Sequence, residues 1–180
     1  MKDQKEEYFL NVQKVERELI QQLFTNYFAK RGCKDLSTTP LTGFSKYDGE
    51  FTSGMSKVMF EFKRRNILST KYSDSFIESY KFFELFKKHK ADNYTLFIIE
   101  YDDHYFLFDL QYEFMMYKAF DNPVHRYSFF NQLKASTNQF NSNKKSDKYI
   151  RYLPFHQARV ILDKDFNQID YKTYLSFRIK

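Results

Sequence analysis

Tyr47-Asp48-Gly49-Glu50-Phe51 and Val58-Met59-Phe60-Glu61-Phe62-Lys63-Arg64 are the two stretches on which the reading of this chain turns. Both alternate polar with apolar residues. In a β-strand, residues two apart point the same way, so Glu61 and Lys63 project from one face while Phe60 and Phe62 project from the other. Thr52-Ser53-Gly54-Met55 has turn composition, which predicts a hairpin of two strands, near Gly43–Phe51 and Ser56–Arg64. Asp48 and Glu50 share one face of the first strand, so either can approach Glu61. Two acids and a lysine then converge. The plainer alternative for Glu61 and Lys63 is a same-face ion pair on a solvated sheet, worth a few tenths of a kcal/mol.

Convergent carboxylates offer hard oxygen ligands to a magnesium-like ion, and a nearby ammonium can face an attacked phosphate. Acid-x-Lys alone is a weak signal in a chain with 29 Lys and Arg and 23 Asp and Glu. It recurs at Asp3-Gln4-Lys5 and Asp170-Tyr171-Lys172. Of these, Glu61 has both an acid-bearing strand before it and a helical and a strand pattern after it.

That arrangement, an acid on one strand and Glu-x-Lys on the next, resembles the PD-(D/E)XK nuclease superfamily, the restriction-endonuclease-like fold. The match rests on motif and element order over roughly the first 110 residues. Tyr47 stands where the family usually has proline. The resemblance implies an α/β (α+β) fold: a mixed central β-sheet flanked by helices, with a core of one helix, three strands, a helix and a strand. It implies a metal-dependent nuclease that hydrolyses phosphodiester bonds in nucleic acid, with DNA the expected substrate. Asp48, Glu61 and the backbone carbonyl of Phe62 would hold Mg²⁺ or Mn²⁺, with Lys63 as the catalytic cation. Family members often act as dimers, so a homodimer is expected. The alternative is the same fold as a catalytically inactive nucleic-acid-binding or protein-interaction module.

Composition agrees with this without adding much. The net charge of +6 and pI near 9.1 favour polyanionic partners. The 22 Phe and 15 Tyr fit either a base-stacking surface or a residue bias shared with Asn and Lys. Cys33 is the one cysteine, so neither a disulfide framework nor a cysteine zinc site is available. His89, His104, His125 and His156 are scattered, which argues against zinc or a nucleophile-and-base arrangement. No run approaches the roughly 18 apolar residues that span a bilayer, and the first residues lack an apolar signal segment. The expectation is a cytoplasmic protein with no membrane partner: a single domain over 1–180, with its core over about 3–110 and a C-terminal elaboration over about 111–180.

Helical spacing of Tyr8, Phe9, Val12, Val15, Leu19, Ile20, Leu23 and Tyr27 predicts one long helix from about Asp3 to Arg31, ended by Gly32. Glu16 falls inside that apolar stripe, where a lone carboxylate is costly. In the resembled family the first helix often gives an acid to the metal site, which makes Glu16 a candidate ligand. Reaching solvent along the stripe's edge, or pairing with a lysine, is the alternative. A Ser/Thr-rich loop over Lys34–Pro40 precedes the hairpin. Whether Ser37–Pro40 or the start of the first long strand gives the family's additional short strand stays open.

Downstream, Ser75-Phe76-Ile77-Glu78 has capping-box form and predicts a helix from about Ser73 to Lys90, burying Phe76, Tyr80, Phe83 and Phe86. Lys81 lies just off that stripe, as an active-site or phosphate-binding candidate or as an ordinary solvated lysine. Arg64 and Arg65 follow the motif strand and could meet flanking phosphates. Tyr94–Glu100 and Tyr105–Leu110 read as strands joined at Asp102-Asp103, and Gln111–Phe120 as helix or loop. Asn131–Lys148 reads as an exposed loop whose Lys144 and Lys145 could grip a nucleic-acid backbone or simply be solvated. Arg159–Leu162 and Tyr171–Ile179 suggest a final hairpin.

Overall fold

Leu96-Phe97-Ile98-Ile99 is apolar on both faces of a strand, a pattern suited to a position covered above and below. In the computed structural model, which describes residues 2–39, 47–88, 93–119, 130–133 and 148–178, this run lies in the fourth of seven strands of a mixed sheet. The strands are β1 (Lys34–Thr38), β2 (Gly49–Ser53), β3 (Ser56–Arg65), β5 (Asn93–Tyr101), β6 (Tyr105–Asp109), β9 (Val160–Leu162) and β10 (Gln168–Ile169), in the spatial order β1-β2-β3-β5-β6-β9-β10. β3 and β5 are parallel and the other neighbours antiparallel. A parallel pair needs a crossover, here β4 (Asp74–Glu78) followed by helix α2 (Ser79–Lys88). A second sheet has the order β4-β8-β7, with β7 at Asn131–Leu133 and β8 at Lys148–Pro154.

Alternation sends the two faces of the large sheet into two apolar clusters. Val58, Phe60, Phe62, Leu96, Ile98 and Leu107 pack against Ile20, Leu23, Tyr27 and Phe28 from helix α1 (Lys2–Leu23) and the turns that continue it. On the other face, Phe97, Ile99, Phe106 and Phe108 meet α2, the second sheet, α3 (Gln111–Ala119) and α4 (Tyr171–Arg178) through Phe82, Leu85, Phe114, Leu153, Phe155 and Tyr174. Each such aromatic or aliphatic side chain contributes about 1.5–3 kcal/mol on burial. The helix, three-strand, helix, strand core of the resemblance is therefore present. Its missing short strand is β1, which begins at Lys34 rather than Ser37. Among the described residues no helix is long and apolar enough to cross a membrane.

Local spacing misreads several segments. Ser75-Phe76-Ile77-Glu78 is not a helix start but strand β4, with Ser75 and Ile77 buried and Ile77 paired with Arg151 of β8. Its partner is some seventy residues away, where a local capping pattern carries no information. The later start turns α2 so that Phe82 and Leu85 are buried while Tyr80 is exposed. The first hairpin strand begins at Gly49, residues 40–46 lying outside the described ones. α1 passes through a π-turn (Phe24–Phe28) and a 3₁₀ turn to Gly32 at φ 80°. The outer part of its stripe, Tyr8, Val12 and Val15, is exposed. The final hairpin is β9–β10, and Tyr171–Arg178 is helix. Asp170 opens it, its Oδ1 accepting from the Thr173 N–H at 2.6 Å. After residue 110, β9 and β10 extend the large sheet, and β7 and β8 join β4 in the second.

Candidate active site

Asp48 is fixed from three directions. Its carbonyl accepts from the Thr39 N–H at 2.9 Å, its N–H donates to the Phe60 carbonyl at 3.0 Å, and its Oδ2 accepts from the Phe62 N–H at 2.7 Å. The reason lies in strand length. β2 pairs with β3 only as far as Gly49↔Phe60, whereas β3 continues through Arg65 with β5 alone as neighbour. From Glu61 to Arg65 one edge of β3 has no strand beside it among the described residues. Backbone groups two residues apart point to the same side, so Phe60, Phe62 and Arg64 all direct N–H and C=O toward this edge. Asp48 covers the Phe62 N–H, and the Glu16 carboxylate, arriving from α1, accepts from the Arg64 N–H. The Phe62 carbonyl shares the edge.

Gly49 makes this placement possible. A Cβ there would lie 2.5 Å from the Phe60 ring and 2.7 Å from the Ser37 carbonyl oxygen, inside van der Waals contact with both. Any side chain at 49 would push β2 away from its neighbours and carry Asp48 with it.

Glu61 projects from β3 onto the α2 side and is only 6% exposed. Lys81, in the first turn of α2, donates to both of its oxygens, 3.0 Å to Oε1 and 3.1 Å to Oε2. Burial, reinforced by the negative charge of Asp48 and opposed by Lys81 and Lys63, pushes the Glu61 carboxyl up to about 8. Asp48 is also raised by burial, against the Phe62 N–H, Lys81, Lys63 and a hydrogen bond shared with Glu61. Burial raises Glu16 too, with Lys63 opposing and Asp48 adding to the shift. Lys63 is exposed and acts on all three acids. Asp48, Glu61, Lys63, Glu16 and Lys81 are therefore brought together.

The remaining candidates separate from this group. Glu50 is held by Lys57 at 2.6 Å and by the Tyr47 hydroxyl at 3.0 Å. Arg64 Nε sits 3.2 Å from Glu100 Oε2 on the α1 side of the sheet, and the Arg65 guanidinium lies 4.4 Å above the Phe76 ring. Lys144 and Lys145 lie outside the described residues. A cavity of about 400 Å³, bordered by Tyr27, Arg31, Val58, Tyr94 and Arg159, opens near the start of β3 and β5, at the far end of those strands from Lys63. The acidic group lies outside that cavity.

Among the described residues no set of three or more His, Cys, Asp or Glu is arranged to hold a metal ion. The donor set at the open edge is smaller: two touching carboxylates and the Phe62 carbonyl. It suits a hard divalent cation, which prefers oxygen and keeps several waters. Two neighbouring acids, Glu61 buried and Asp48 half-buried, whose carboxyls are both raised are a further sign of fit, since a cation beside them would relieve the repulsion. Sequence alternation placed Glu61 with Lys63 and left Asp48 or Glu50 to join them, and the helical period singled out Glu16. Lys81, read as an active-site or phosphate-binding candidate or as a solvated lysine, pairs with Glu61.

No protein-family model matches the sequence, and no curated protein matches it. Among solved structures the chain is similar to Hjc, a Holliday junction resolvase from the archaeal hyperthermophile Archaeoglobus fulgidus. The identity is 10%, the TM-score 0.41, and the alignment covers 89% of this chain and 99% of that one.

Proposed function

We propose that this protein is a divalent-metal-dependent nuclease that hydrolyses phosphodiester bonds, with DNA as substrate. The observation that carries the reading is the meeting of the Asp48 and Glu61 carboxylates at the open edge of β3, within reach of the Lys63 charge. Asp48, Glu61 and the Phe62 carbonyl would hold Mg²⁺ or Mn²⁺. When bound, such an ion supplies Lewis-acid polarisation of a phosphoryl oxygen and a more acidic water.

The chain's own groups have distinct tasks. The Lys63 ammonium, exposed on the Glu61 face, orients the attacking water and offsets negative charge that builds on the phosphate. Glu16 holds the Arg64 N–H and keeps the strand edge in place beside Asp48. The net charge of +6 draws a polyanion to the surface. Lys144 and Lys145 are proposed phosphate contacts, while Arg64 and Arg65 are engaged by Glu100 and the Phe76 ring, and a homodimer would bring two such sites to the two strands of a duplex.

The test is nicking of supercoiled plasmid in Mg²⁺ or Mn²⁺, with chelator and with Glu61→Ala and Lys63→Ala. Each substitution is expected to lower the rate by roughly 10²–10³-fold or more, the cost of losing a group that stabilises transition-state charge, with far-UV circular dichroism unchanged. Cleavage that persists in chelator, or in both variants, overturns the proposal. A salt-dependent mobility shift with no product would assign the chain to the inactive binding class instead.

A further inference from the structure

One ammonium contacts both oxygens of Glu61. Lys81 Nζ spans the two oxygens of Glu61 at 3.0 and 3.1 Å, and its charge also acts on Asp48, ahead of that of Lys63. It therefore holds the Glu61 oxygens that a divalent ion bound at this site would draw on. Two neighbouring carboxylates withdrawn from solvent can both be ionised only with a positive charge beside them, because unpaired buried charges are strongly destabilising. A divalent ion and an ammonium cannot share the same carboxylate oxygens at contact distance without mutual repulsion.

We propose that Lys81 is an exchangeable counter-ion: it holds the Glu61 carboxylate in the metal-free protein and leaves it when a divalent ion binds. This rests on the metal-site reading above and deepens it. The surroundings allow the exchange. Lys81 is in the first turn of α2, on the outer end of the crossover, and its side chain keeps 29% of its surface exposed. Its flexible four-carbon stem can carry the ammonium from the carboxylates to solvent without moving the helix. Once released it joins Lys63 on the same rim, so metal binding adds a second cation to the surface that a phosphate approaches. Lys81 is in this sense a positioning residue: it holds the Glu61 carboxylate before the metal arrives and ceases to neutralise it afterwards.

The exchange can be read without any cleavage assay. The full chain is labelled with an amine-reactive acetylating reagent, with and without Mn²⁺, and each lysine is quantified by mass spectrometry. Mn²⁺ binding is measured in parallel by electron paramagnetic resonance. Mn²⁺ is expected to raise Lys81 labelling on the order of tenfold, as release of a charge-assisted hydrogen bond allows. Lys57 and Lys87, which pair with Glu50 and Glu84 elsewhere, serve as internal references and should not change. Glu61→Gln should label quickly at Lys81 with no metal at all. Mn²⁺ bound while Lys81 stays protected overturns the exchange and leaves the metal site standing. Absence of Mn²⁺ binding by the wild-type chain overturns both.

Discussion

Asp103 and Glu61 are acids tucked against the large sheet, and their surroundings drive them in opposite directions. Burial alone would raise Asp103, but His104, the Ser69 N–H and the Ser69 hydroxyl bring it down to about 2. Oδ1 accepts from the Ser69 N–H at 2.7 Å and Oδ2 from its hydroxyl at 2.9 Å, with His104 Nδ1 at 3.1 Å. Donors surround it. Glu61 has a lysine and, next to it, another carboxylate, and it is pushed up to about 8. An acid that only ties a fold together is provided with donors until its charge is comfortable. An acid left beside another acid at an open strand edge is stable as an anion only with a cation brought to it, which is how perturbed groups mark candidate sites.

The strongest way to break this contrast is to neutralise each acid in turn. Glu61→Ala should reduce metal-dependent cleavage by about 10²–10³-fold or more, while Asp103→Asn should leave cleavage and Mn²⁺ affinity unchanged. If Asp103→Asn lost activity as severely as Glu61→Ala, the division between fold-holding and site-forming acids would fail.

A pH series sharpens the same contrast in stability. Native Glu61 keeps its proton up to about 8, whereas the unfolded chain releases it near 4.5. Between those values the folded state binds more protons, so metal-free stability should fall as pH rises, by on the order of a few kcal/mol, and level off above about 8. Asp103 has the opposite sign: its contribution is present above its usual 3.8 and is lost as pH falls toward 2. Urea unfolding from pH 3 to 9 measures both arms, and Glu61→Gln should flatten only the upper one. Saturating Mn²⁺ should also abolish the upper decline, since the ion binds the charged form.

Gly49→Ala tests whether backbone contact positions Asp48. The added methyl would meet the Phe60 ring at 2.5 Å and the Ser37 carbonyl at 2.7 Å. Overpacking of this kind costs about 1–3 kcal/mol. Cleavage should fall further than global stability explains, because the residue displaced is the neighbouring ligand. Unchanged Tm and unchanged cleavage together would show that the strand can yield there without consequence.

Much of the site was legible from the chain alone because its determinants are local. Alternation sets the Glu61–Lys63 face, and the 3.6-residue period sets the inward turn of Glu16. What escaped was whatever depended on distant partners. β4 looks like a helix start until β8 pairs with it, and α2 then begins late enough to carry Lys81 onto Glu61. The open edge was equally hidden, since it arises from β2 stopping at Gly49 while β3 runs on to Arg65, a difference that composition does not encode.

Alternation could not by itself choose between Asp48 and Glu50, which sit two residues apart, and the smallest expected effect makes that choice. Glu50 is already bound to Lys57 at 2.6 Å, with the lysine side chain 48% exposed, and Lys57 holds its carboxyl below the usual range. Exposed pairs of this kind are worth about 0–1 kcal/mol. Glu50→Gln should therefore change stability within that range, weaken further with salt in the wild type only, and leave Mn²⁺ affinity and cleavage intact. Asp48→Asn removes the carboxylate that touches both the Phe62 N–H and Glu61, so metal affinity should drop in that variant alone. Equal losses in the two variants would mean that the metal draws on the whole β2 face instead of the single acid at its end.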